Sequence, residues 1–165
     1  MKVFARMLVL LFLIPVGGVL AQDHATGGAH DSVKHTMQNV SKFQWMDAPA
    51  GLPKGAKVSV LSGNPGEAGP FVLRIQFPAN YQIKPHWHPT AENVTVIEGQ
   101  LYMGTGETFG TEKATMLEKG GFAVMPAKFV HFAFTKAATM IQIHGIGPFA
   151  IHYVNPADDP RGQGQ

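Results

Sequence analysis

Nine short, mostly apolar runs follow one another between Lys57 and Val154, and turn-forming residues fill most of the gaps between them. The runs are Lys57 to Leu61, Phe71 to Phe77, Asn93 to Ile97, Gln100 to Met103, Ala114 to Leu117, Phe122 to Met125, Phe129 to Phe134, Thr139 to His144 and Phe149 to Val154. Gaps such as Gly63-Asn64-Pro65-Gly66, Glu98-Gly99 and Gly145 to Pro148 carry residues that accept positive φ or preset a turn. Runs of this length bury one face as strands, and no stretch shows the sustained 3.6-residue periodicity of an amphipathic helix. The expected fold is therefore all-β, a closed or sandwich-like barrel with few unpaired edges.

A chain of 165 residues with 45% hydrophobic residues suits one such domain. Charged residues make up only 15% and the formal net charge is +2, so there is no basic stripe to neutralise phosphates, and no nucleic-acid partner is expected. With no cysteine, disulfides, a thiol nucleophile and thiolate metal ligation are all ruled out.

The N-terminus reads as an export signal. Lys2 and Arg6 precede the apolar run Met7 to Ile14, and Val19-Leu20-Ala21 places small residues where a signal peptidase cuts. The run is shorter than the roughly 20 residues that span a bilayer, so no stable membrane anchor is expected after cleavage. Residues 1–21 are assigned to the signal peptide, 22–42 to a polar leader containing His24, His30 and His35, 43–156 to the barrel, and 157–165 to a tail. The mature protein is expected to be periplasmic or secreted. Phe43 and Trp45 share a face of an extended segment and are expected to pin an N-terminal strand to the barrel.

Chemistry concentrates in Pro85-His86-Trp87-His88-Pro89-Thr90-Ala91-Glu92. Residues two apart on a strand point to one face, so His86 and His88 can aim at a common point while Trp87 faces away. A turn at Pro89-Thr90 can return Glu92 beside them as an oxygen ligand. Two imidazoles and a carboxylate make a facial set that leaves coordination positions open. In the run Phe129 to Phe134, alternation places Phe129, His131 and Ala133 on one face and Val130, Phe132 and Phe134 on the other. A lone histidine on an apolar strand is ordinarily a hydrogen-bonded core residue; beside the upstream trio, His131 reads as a fourth ligand.

These segments resemble the two motifs of the cupin superfamily. The first motif falls on Asn80, His86, His88, Glu92 and Gly99, with Asn80 where the family has Gly. The second falls on Gly120, Pro126, Lys128, His131 and Thr135, with Lys128 in place of Gly and Thr135 in place of Asn. The resemblance spans roughly residues 43–156. It implies a double-stranded β-helix, or jelly-roll barrel, and one divalent metal ion held by His86, His88, Glu92 and His131. Histidine and carboxylate ligands suit Fe, Mn, Zn, Cu or Ni. Activity is open: the first enzymatic expectation is a dioxygenase acting on a small oxygen-rich molecule, and the alternative is a non-catalytic binding or sensory module in which the metal is structural. A homodimer is expected by analogy.

Two polar strand faces are candidates for a ligand-binding wall. Arg74 and Gln76 share one face, opposite Leu73, Ile75 and Phe77, and Gln142 and His144 likewise share one. Pointing inward, they would bind an acidic or hydroxylated ligand, Arg74 through its bidentate guanidinium. Pointing outward, they would be solvated, and alternation alone is compatible with either.

Overall fold

The computed structural model describes residues 35–162. The segment expected to be a signal peptide, residues 1–21, and most of the expected leader, including His24 and His30, lie outside the described residues. Two antiparallel sheets face one another. The first runs in the order β1 (Met46–Asp47), β2 (Lys57–Ser62), β3 (Gly69–Phe77), β10 (Thr139–Gly147), β5 (Glu92–Glu98) and β8 (Phe122–Met125). The second runs β11 (His152–Tyr153), β4 (Gln82–Trp87), β9 (His131–Phe134), β6 (Gln100–Thr105) and β7 (Thr115–Glu118). This is the all-β fold expected from the spacing of the runs and the jelly roll that the cupin resemblance implies. Phe43 and Trp45 are half-buried and pack together just before β1, their ring centroids 6.3 Å apart.

The pleat sends alternate residues inward. Phe71, Leu73, Ile75 and Phe77 on β3, Ile141 and Ile143 on β10, Val94 and Val96 on β5, and Leu101 and Met103 on β6 form one buried core. Glu92 sits in register with Val94 and Val96 on β5, and His131 with Ala133 on β9, so both functional residues share the strand face that builds the core.

The outer face of the second sheet is covered separately. Phe132 and Phe134 are buried beneath Phe109, and Tyr102 stacks on Phe134 at 4.8 Å. Gly104 lies opposite Phe132 on β6, where a Cβ would collide with the Phe132 ring, so the close approach requires glycine. With every residue of β9 buried, neither face of that strand is free to move, and His131 is rigidly placed.

Candidate metal centre

Each ligand position is set by a local feature. His86 is the penultimate residue of β4, whose pairing with β9 shifts register between Ile83 and His86. Pro85 falls in that irregular stretch, consistent with its missing N–H, and the irregularity re-aims the chain so that His86 pairs directly with His131. Trp87 faces outward and stacks on His152 at 4.2 Å, as alternation requires. His88 follows just past the strand, and Glu92 opens β5.

The turns that carry the motifs explain two family departures. Asn80 has φ 59° and Lys128 has φ 62°, so both replace glycines at left-handed positions. Asn tolerates that conformation, whereas Lys pays roughly 1 kcal/mol or more for it. The Lys128 N–H donates to the His88 carbonyl at 2.8 Å, which ties the second motif to the first. Thr135 is buried; its hydroxyl donates to the Pro78 carbonyl at 2.7 Å and accepts from the Tyr81 N–H at 3.2 Å, holding the Asn80 turn.

His86, His88 and His131 each offer a ring nitrogen, and these atoms lie within 4.8 Å of one another. Glu92 Oε2 is 3.2 Å from His131 Nε2 and 3.7 Å from His88 Nε2. None of the four residues is more than 6% exposed. On the far side of every ring, Nδ1 meets a backbone carbonyl: His86 with Lys84 at 2.7 Å, His88 with Ala150 at 2.8 Å, and His131 with Phe129 at 3.0 Å. A carbonyl can only accept, so Nδ1 carries the proton in each ring and Nε2 turns its lone pair to the cluster. His88 Nε2 is buried with no hydrogen-bond partner in the protein. A buried, unpartnered lone pair beside a carboxylate and two further imidazoles fits a divalent cation.

Electrostatics support the same arrangement. Burial pushes His86 down from 6.5 to about 3, reinforced by His131 and His88. His88 is lowered as well, chiefly by burial. Burial alone would raise Glu92, but the close approach of His131 and the surrounding imidazoles outweigh it and hold the carboxyl below its ordinary range. The His86 and His88 imidazoles therefore stay neutral and the Glu92 carboxyl stays ionised at neutral pH, the protonation states that ligate metal.

The cluster lines a cavity of about 480 Å³, together with Leu73, Ile75, Val94, Leu101, Met103, Ile141 and Ile143. The polar wall expected from Arg74, Gln76, Gln142 and His144 is not there. Because the apolar residues of β3 and β10 take the inner face, the pleat turns those four outward. Arg74 donates from Nε to Gln142 Oε1 at 3.2 Å and lies 5.1 Å over the Phe43 ring, while His144 is exposed. Sequence reasoning missed Phe149, which stacks on His88 at 4.3 Å, and the Ala150 carbonyl. No local signal marks them, since they reach His88 from some 62 residues away.

Comparison with known proteins agrees with the fold. The sequence profile of the ChrR cupin-like domain matches residues 33–150. A probable germin-like protein, subfamily 2 member 5, from Arabidopsis thaliana is 39% identical over 79 residues, 47% of this chain and 37% of that protein. Germin-like protein 2-4 from Oryza sativa subsp. japonica is 36% identical over 62 residues, 37% of this chain and 27% of that protein. The matches thus span about a third of these relatives' length. Among solved structures, a polyketide cyclase from Streptomyces resistomycificus superposes with a TM-score of 0.65 at 14% identity, covering 77% of this chain and 90% of that one. A putative acetylacetone dioxygenase from Methylibium petroleiphilum PM1 gives 0.58 at 19% identity, covering 77% and 85%. With two facing sheets, a buried histidine cluster and a family profile matching most of its length, the chain belongs to the cupin superfamily, in the family of ChrR cupin-like domains.

Proposed function

We propose that the chain binds one divalent metal ion through His86, His88, Glu92 and His131 and acts as a dioxygenase-type oxidoreductase on a small molecule held in the barrel. The observation that supports this reading is the set of three imidazoles, each fixed through Nδ1 to a backbone carbonyl, lining with Glu92 a cavity of about 480 Å³. A metal held there supplies Lewis acidity and open coordination positions. The protein's part is positioning: the carbonyls set ring orientation, Glu92 sets the charge, and the apolar walls limit water around the reacting groups. A purely structural ion needs no cavity beside it, which favours the catalytic over the clip reading.

The test is metal content and dioxygen uptake of the purified protein loaded in turn with Fe, Mn, Zn, Cu and Ni. Near one equivalent is expected, and His86→Ala or His131→Ala should each weaken binding by roughly 100-fold or more, beyond the 10–100-fold typical of losing a supporting residue. Unchanged metal content in both variants would refute the ligand set. Stoichiometric metal with no dioxygen uptake on any substrate would leave the binding module.

A further inference from the structure

The walls of the cavity constrain what it holds. Apart from the four residues of the cluster, the only polar side chains in its lining among the described residues are Asn64 and Arg161, both exposed. Arg161 is already engaged: its Nε and Nη2 donate to the Asp159 carboxylate at 2.8 and 2.6 Å, and Nη2 also donates to the Ile151 carbonyl at 3.1 Å. The remaining lining side chains are apolar, among them Leu73, Ile75, Val94, Leu101, Ile141 and Ile143. The cavity, at about 480 Å³, lies within the size range of sites for whole small molecules.

A hydroxylated or multiply charged molecule would exchange water for walls without side-chain donors or acceptors. Each unmatched polar group then weakens binding by about fivefold to a hundredfold. A hydrocarbon body gains instead, by about fourfold for every methylene removed from water. Among the buried lining residues the cluster alone can reward an oxygen atom, and it forms a single compact site. We infer that the ligand is amphiphilic, with one anionic oxygen-donor head at His86, His88, Glu92 and His131 and a hydrocarbon body along the apolar walls. This inference rests on the metal-centre reading for its head group and on the wall composition alone for its body. It replaces the oxygen-rich molecule expected from the sequence.

The experiment titrates straight-chain monocarboxylates from acetate to octanoate into the zinc-loaded and the metal-free protein by calorimetry, with gluconate as the polar counterpart of hexanoate. In both forms Kd should fall about fourfold per added methylene until the cavity fills. Gluconate should bind at least about 100-fold more weakly than hexanoate. Zinc should tighten every member of the series by a similar factor, because it acts on the head. Ile143→Phe, which narrows the wall, should end the gain at a shorter chain; where that variant does not fold, the wild-type slope decides. A flat series, or gluconate bound as tightly as hexanoate, overturns the inference and leaves the metal centre standing. A full slope with no difference between zinc-loaded and metal-free protein removes the head group from the cluster and overturns that half of the inference, whereas failure of the protein to take up zinc at all defeats the metal-centre reading.

Discussion

The same interior contains two regions of opposite energetics. Leu73, Val94, Leu101 and Ile143 line the barrel as ordinary core, and their burial stabilises the fold. His86, His88, Glu92 and His131 are buried as deeply, yet His88 Nε2 has no partner and neighbouring histidines oppose one another's protonation. Buried polar groups that lack partners destabilise. The difference teaches that stability resides in the wall and not in the cluster: the wall keeps the fold folded so that a costly cluster can be held in place without contributing to it.

The sharpest way to break this comparison is to exchange the characters of the two regions in metal-free protein. Leu101→Ala should lower unfolding free energy by about 2–3 kcal/mol, the low end for a buried leucine because it already borders open space. His88→Leu should leave stability unchanged or raise it by about 1 kcal/mol while impairing metal binding, since it removes an orphaned nitrogen and the exposed Ala150 can bond water instead. Chemical denaturation of both variants decides; a His88→Leu protein destabilised as much as Leu101→Ala would show the cluster to be core.

Acid sharpens the same contrast. The unfolded chain protonates His86 below about 6.5, whereas the folded protein resists until about 3, so the unfolded state binds more protons throughout that window. Stability of the metal-free protein should therefore fall as pH drops from 6.5 toward 3, by about 1.4 kcal/mol per pH unit for each such histidine. Above that window this group should contribute no slope. Unfolding free energies that stay level between pH 7 and pH 5 would contradict the burial argument. The smallest effect belongs to the outer face: Arg74→Met breaks the bond to Gln142 and the contact with Phe43, and should cost less than about 1 kcal/mol with metal affinity unaltered. Loss of metal or of carboxylate binding in that variant, measured by calorimetry, would return Arg74 to the interior.

Much of this was legible in advance where the signal is local. Phe122–Met125 carries the strand bounds expected of it, and β3 and β10 extend their expected runs by a few residues. The run expected over Phe149 to Val154 shrinks to His152–Tyr153, because Phe149 and Ala150 leave the ladder to reach His88. His86, His88 and Glu92 were legible from spacing, and His131 from its apolar neighbours, since strand alternation fixes relative orientation.

What the sequence by itself determined is therefore relative: which residues share a face, where the chain turns, and which side chains have ligand chemistry. Only the tertiary structure decided which face is inside, because Arg74 and Leu73 differ by one position on the same strand and the choice depends on what the opposite sheet presents. It also decided the tautomers of the cluster. The carbonyls that hold Nδ1 of His86 and His131 lie two residues away, but the one that holds His88 comes from Ala150, and no local pattern encodes a contact made by folding distant segments together.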